Sequence, residues 1–280
     1  MATETIVGPL GEVQAASTAG GGTALTTTAG YIQLPVGTKH IDIVPRNFAT
    51  AVVAQWLKCP WLTILKTTDA GETFIDYSYV AQDGSTSTSV DLSSLSTLAN
   101  GDALYVGSHV PFGGAYIDVD GPNGTASDLT VSYWNGATWT AISETDNTDT
   151  GAALAVDGTV TWTVPSAWIS AELRKVASAI GLTPAVVHQG ARPGMVPELD
   201  VLGERLFWTR WEWSAAMDSA TTLDSMLGLS RQTVYHEIPS GMAWQEAVTV
   251  GPGGISSIQA KTDAGTANLI IDCAARGRFA

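Results

Sequence analysis

The sequence predicts an all-β protein: two β-sandwich or jelly-roll-like units, an extended N-terminal arm and one helix-containing insertion. Three observations carry this. Residues 129–164 read LTVSYWNGATWTAISETDNTDTGAALAVDGTVTWTV, alternating apolar and polar residues punctuated by Asn135-Gly136 and Asp157-Gly158, and a period of two is that of a pleated strand. Pro, Gly, Asn and Asp clusters bound short apolar runs along most of the remaining chain, which is the punctuation of many short strands. The 280 residues allow one large or two ordinary domains, with a core that needs no staples.

Residues 1–30 are rich in Ala, Thr and Gly, with Gly20-Gly21-Gly22 in the middle, and hold no sustained period of 2 or 3.6. They read as an extended arm, either a flexible terminus or a strand lying on an adjacent subunit, which would give Ile6, Val7 and Leu10 a place out of water. From Tyr31 a first β-unit is expected over 31–100. Strands at 31–34, 39–44, 51–57, 61–66 and 72–80 are separated by Pro35-Val36-Gly37, Pro45-Arg46-Asn47, Pro60 and Asp69-Ala70-Gly71, with one edge strand around 89–92.

A second sandwich is expected over 101–245. Leu104, Tyr105 and Val106 open it, 115–119 continues it, and the 129–164 hairpins follow. Asn135-Gly136 supplies the two φ > 0 positions of a type I′ turn. Leu129, Val131 and Tyr133 share one strand face and Thr130, Ser132 and Trp134 the other. Val160, Trp162 and Val164 alternate with threonines until Pro165, which cannot donate to a ladder. Residues 170–180 are the helix candidate: Ser170 caps it, Glu172 sits in the first turn, Leu173, Val176, Ala177 and Ile180 form one stripe, and Gly181 ends it. With Pro184, Pro193 and Pro197 following, 168–204 reads as an insertion that projects from the sandwich. Phe207, Thr209, Trp211 and Trp213 then alternate with Trp208, Arg210, Glu212 and Ser214. Residues 221–229 fit a short helix or a turn and strand. Short strands at 248–250, 255–260 and 269–273 complete a sheet within 246–280.

Composition narrows the function classes. Charged residues are 14%, against about 25% in ordinary globular chains, so Thr, Ser, Asn, Gly and Ala cover much of the outside. With 27 carboxylates against 13 basic groups the formal charge is −14, a field that repels a phosphate backbone. No nucleic-acid partner is expected, and Arg276 and Arg278 read as a solvated or partner-bound tail. Cys59 and Cys273 are too few for a disulfide framework and lack metal-ligand spacing; both are expected reduced in the core. No export signal and no run of about 18 apolar residues is found, so synthesis in the cytosol and no membrane are expected.

Each constellation that invites chemistry meets a plain objection. Asp118, Asp120, Asn123 and Asp128 offer oxygens near a turn, but Pro122 occupies a ligand position of a calcium loop; Glu144, Asp146, Asn147 and Asp149 are similar. Neither is read as a metal site. Among ten tryptophans, Trp162, Trp211 and Trp213 are expected to face inward, Trp134 and Trp139 to pair across their hairpin, and Trp56 and Trp61, around Cys59-Pro60, to pack or line a subunit interface. His40, His109, His188 and His236 stand apart. Gly107-Ser108-His109 is no nucleophile elbow, His236-Glu237 lacks the second His of a zincin, and Gly251-Pro252-Gly253-Gly254 is no phosphate loop. No catalytic residue, cofactor or metal ligand is assigned; two distant glycosidase carboxylates would leave no local trace.

The succession GDALYVGSHVPFGGAYIDVD (101–120), LTVSYWNGATWTAISETDNT (129–148), GTVTWTVPSAW (158–168) and LFWTRWEWSAAMDSATTL (206–223) resembles a Trp-rich YWNG-type β-sandwich module of tailed-bacteriophage structural proteins. Residues 61–83 resemble the stretch preceding it, so about half of the chain is covered. The insertion at 168–204, and Phe207-Trp208 where the module has Tyr-Trp, depart from the pattern. The resemblance implies a non-enzymatic virion component, a capsid cement or decoration protein or a head–tail or tail accessory protein. Its partners would be copies of itself and other virion proteins. The alternative is a tail-associated carbohydrate-binding, host-recognition module that binds a surface glycan; a particle-borne glycan hydrolase is a further rival.

Overall fold

The computed structural model describes residues 11–13, 22–69, 71, 73–95, 101–179, 186–189 and 201–275. Strands take 49% of the chain and helix 4%, which establishes the all-β class. The chain divides into two compact units, Met1–Trp61 with Gln232–Ala280, and Leu62–Arg231.

The first unit holds β1 (Gly11–Val13), β2 (Thr23–Leu25), β3 (Gly30–Gln33), β4 (His40–Ala49) and β5 (Val53–Pro60). Thirteen strands later the chain returns to it as β19 (His236–Pro239), β20 (Trp244–Ala247), β21 (Ile255–Thr262) and β22 (Thr266–Ala274). One sheet runs β2-β22-β4-β20, with β1 also on β22; the other runs β3-β21-β5-β19. All these pairs are antiparallel. From β2 onward the strands pass between the two sheets in the winding order of an eight-stranded jelly roll. The alternation in the sequence dictates which side is buried: Ile41, Ile43, Leu269, Ile271 and Cys273 face Ile32, Ala54, Trp56, Ile258 and Ala260 across the gap.

The second unit is a second two-sheet sandwich. Its larger sheet orders β12 (Trp139–Ala141), β11 (Leu129–Trp134), β17 (Arg205–Trp213), β9 (Ala103–Ser108), β6 (Thr63–Thr67), β7 (Thr73–Asp76) and β16 (Val186–Gln189), with β15 (Ala171–Glu172) also on β17. The smaller orders β13 (Thr145–Asp146), β14 (Gly158–Thr161), β10 (Gly114–Gly121), β18 (Thr222–Gly228) and β8 (Val90–Asp91). Ile64, Val106, Val131 and Trp211 meet Ile117, Val160, Leu223 and Met226 between them. Burying rings the size of Trp211 stabilises by roughly 4–6 kcal/mol each before the cost of ordering them.

Several expectations are corrected here. The boundaries at 100 and 245 move to 61 and 231, because β6 is zipped between β7 and β9, with Thr63 opposite Gly107 and Leu65 opposite Asp76. Residues 236–247 belong to the first unit, where His236 pairs with Trp56 and Trp244 with Ile43. Period and turn chemistry mark a strand but not the distant strand it joins. The arm is corrected where it is described: β1 and β2 both lie along β22 of their own chain. Ile6, Val7 and Leu10 fall outside the described residues.

The insertion does not project where it is described. Leu173, Val176 and Leu202 cover the second face of the larger sheet, against Leu65, Phe74, Tyr105 and Trp208, so both faces of this sheet are buried. The helix α1 spans Leu173–Ala179 with no acid in its first turn, because Ala171 and Glu172 are taken by β17; Ile180 and Gly181 are outside the described residues. The Asn135-Gly136 turn is also different. Trp134 pairs with Trp139, leaving a four-residue loop in which Gly136, with φ 98°, is the positive-φ position. The Asn135 side chain closes it, Oδ1 accepting from the Ala137 and Thr138 amides at 2.9 and 2.8 Å. Residues 222–228 resolve as strand, and the strand expected at 248–250 is a single bridge at Val250.

Candidate interaction surface

The first unit leaves β19 and β20 as adjacent edge strands, one at the end of each sheet, and an edge is a row of backbone donors and acceptors open to a partner. They are joined by a tight turn in which the Met242 amide donates to the Pro239 carbonyl at 3.1 Å and Gly241 has φ 81°. The neighbouring β4–β5 loop is tied to this turn by the Ser240 amide on the Val52 carbonyl. Large apolar side chains stand in water here: Val234 at 81%, Val52 at 65%, Met242 at 60% and Trp244 at 36% exposed. Single exposed apolar residues are ordinary; several around one pair of free edges form a surface for contact.

Between the two edges the space between the sheets reaches solvent, with Trp244 36% exposed and the Lys58 and Glu246 side chains 39% and 25% exposed. In register Trp244 and Glu246 stand opposite Ile43 and Ile41, so both side chains turn inward, as do Trp56, His236 and Ile238 from the facing sheet. The His236 ring centroid lies 4.9 Å from Trp56 and 5.4 Å from Trp244, and the two indoles are 5.9 Å apart. Lys58 pairs with Glu246 across the gap, and Trp244 Nε1 donates to Glu246 Oε2 at 3.3 Å. Trp56 is 1% exposed and its Nε1 has no hydrogen-bond partner among the described residues.

Trp56 is the one tryptophan singled out from the sequence that lies here. Eight of the ten are buried. Trp162 Nε1 donates to the Phe112 carbonyl at 2.9 Å and Trp168 Nε1 to the Trp208 carbonyl at 3.1 Å; Trp211 and Trp213 face the sandwich core, and Trp61 is buried. Trp134 and Trp139 pair as expected, centroids 5.6 Å apart. Trp244 escaped notice because its strand is four residues long, yet its alternation with Glu246 and Val248 was the available signal.

Asn123 is buried and ties Thr125, Ser127 and Ala153 together, while the Asp128 amide donates to Ser214 Oγ at 2.8 Å. Asp118 meets Asp157, Asp224 and Asp120. Burial first and these carboxylates next push its pKa up, and Asp224 is raised for the same reasons. Asp146 accepts from Thr148 and Asp149 from Gly151 within their own loop. Among the described residues no group of His, Cys, Asp and Glu is arranged to hold a metal ion. His40 contacts Asp42 at 2.9 Å and His109 contacts Glu204 at 3.5 Å; His188 lies in β16 opposite Ile75. Cys59 and Cys273 are buried and free, as expected, and burial raises the Cys273 thiol to about 11. No helix among the described residues is long and apolar enough to cross a membrane. No family model, curated protein or solved structure matches the chain.

Proposed function

We propose that this chain is a non-enzymatic structural component of a tailed bacteriophage virion, made in the host cytoplasm and built into the particle through contacts with copies of itself and other virion proteins. The role is that of a capsid cement or decoration protein, or of a head–tail or tail accessory protein. The observation that carries the reading is the rim of the jelly roll, where two adjacent free edges, β19 and β20, are surrounded by Val52, Val234 and Met242 standing in water. Backbone edges supply directional pairing and apolar side chains supply area. A low-charge surface with a charge of −14 keeps the free chain soluble and away from packaged nucleic acid. The similarity of 101–168 and 206–223 to the Trp-rich phage module supports the same reading.

Two measurements test it together. Light scattering on the purified chain should give a defined oligomer that Val52→Asp with Met242→Asp dissociates without unfolding. Peptides of the chain should also appear in mass spectra of purified phage particles. A monomer whose behaviour the double variant does not change, together with absence from particles, would overturn the proposal.

A further inference from the structure

We propose that the gap between β19 and β20 is a binding subsite for a neutral saccharide ring, with Trp244 as the stacking platform. A pyranose has one face of C–H bonds and a rim of hydroxyls that both donate and accept. The gap offers the matching set. Trp244, 36% exposed, presents an aromatic surface, held in place by its Nε1 hydrogen bond to Glu246. His236 packs beside it at 5.4 Å, and the Lys58–Glu246 pair places an ammonium and a carboxylate at the rim. Behind them, Trp56 Nε1 is a buried donor with no partner among the described residues, and such a group is costly unless something accepts from it.

Other ligand classes fit less well. A purely apolar occupant would strip water from Lys58 and Glu246 without replacing the lost hydrogen bonds. An anionic one would meet Glu246 and a chain of charge −14, which is repulsive overall. A peptide strand would use the outward backbone edges and leave the inward-turned Trp244 and His236 unread. The subsite depends on this gap alone and stands whether or not the chain is a particle component.

The test uses the full chain with ¹⁵N-labelled indoles. It is titrated with D-glucose, D-galactose, D-mannose, N-acetyl-D-glucosamine and their β-linked dimers. At least one sugar should shift the Trp244 and Trp56 Nε1–H signals saturably while those of Trp162 and Trp168, engaged in the other unit, stay fixed. Trp244→Ala should weaken that binding by about tenfold, the worth of one ring contact, and Glu246→Gln should weaken it several-fold with an unchanged melting temperature. Wild-type indole shifts need no variant to fold, so the proposal is decided even if Trp244→Ala does not. No saturable shift with any sugar, shifts confined to other tryptophans, or full affinity in Glu246→Gln would each overturn it, and none of these outcomes bears on virion assembly.

Discussion

Trp208 stands directly opposite Gly107 in the β17–β9 register, and a Cβ on Gly107 would come within 2.7 Å of the indole ring. The ring cannot swing away freely, because its Nε1 donates to the Ala171 carbonyl at 3.0 Å and it is fully buried with Leu173 and Leu206. Gly107 is therefore the space into which Trp208 packs, and the aromatic ring in turn covers the strand where glycine leaves it bare.

Gly107→Ala should cost about 1–3 kcal/mol, the range for forcing a methyl into a filled core. Trp208→Ala should cost about 3–5 kcal/mol by leaving a cavity. Urea unfolding checks both: the midpoint should fall while the slope stays that of the parent. A Gly107→Ala chain as stable as the parent would mean that the ring has room it is not seen to have.

Asn135 makes a prediction about the hairpin. Its Oδ1 takes both loop amides and its Nδ2 reaches Thr140 Oγ1 at 3.0 Å, so the side chain holds the loop together with the Asn135 amide on the Thr138 carbonyl at 3.2 Å. Asn135→Ala should destabilise by about 1 kcal/mol, the net worth of a lost turn hydrogen bond or two. Asn135→Asp, which keeps the acceptor, should cost less. Thermal unfolding of the three chains orders them.

The strands of this protein were legible because each carries its own period. Trp211 and Trp213 face one side of β17 and Trp208 and Arg210 the other, as their alternation requires, and the Trp134–Trp139 pair follows from two strands meeting at one turn. The jelly roll was not legible as a wound object, because β5 and β19 are neighbours with a whole sandwich of chain between them. Nothing in residues 53–60 or 236–239 names the other. The second face of the larger sheet was missed for a related reason: Trp208 reads as the outer half of an alternation, and the buried run at Leu104, Tyr105 and Val106 does not say what covers Tyr105, until Leu173 and Val176 arrive over both. The rim at Trp244 was hidden by the shortness of β20 and because a half-open gap is a property of two sheets, not of one segment.

Asp118 predicts a gain in stability from losing a charge. Burial and then Asp157, Asp224 and Asp120 raise its pKa in the folded chain. The folded state therefore holds the proton more tightly than the unfolded state. The stability tied to that proton is complete below the unfolded pKa and is lost as pH rises through the folded one. At neutral pH the group is a liability, so Asp118→Asn should raise the melting temperature at pH 7, and the gain should shrink toward nothing at a pH below the ordinary Asp value. A gain that did not depend on pH would point to packing and not to charge.

Lys66 carries the opposite sign. Its side chain is 2% exposed, its Nζ donates to the Asp91 carbonyl at 2.5 Å and to Ser94 Oγ at 3.3 Å, and Asp91 Oδ2 lies 3.7 Å away, so one ammonium fastens the β8 edge to β6. Desolvation lowers its pKa below 10.5 although Asp91 works against this. Between the lowered folded value and 10.5 the unfolded chain binds more protons, so this group's contribution becomes more favourable as pH rises through that window. Tyr77, raised to about 12 mainly by burial, acts the other way once pH exceeds its ordinary value near 10, which confines a clean comparison to lower pH. Lys66→Ala should cost about 2–4 kcal/mol, through a cavity and an abandoned carbonyl. Lys66→Met, which fills the same volume, should cost less than half of that, because it also removes a charge that burial disfavours. The difference in unfolding free energy between the parent and Lys66→Met should widen in favour of the parent as pH is raised toward 10, and urea titrations at a series of pH values would show it.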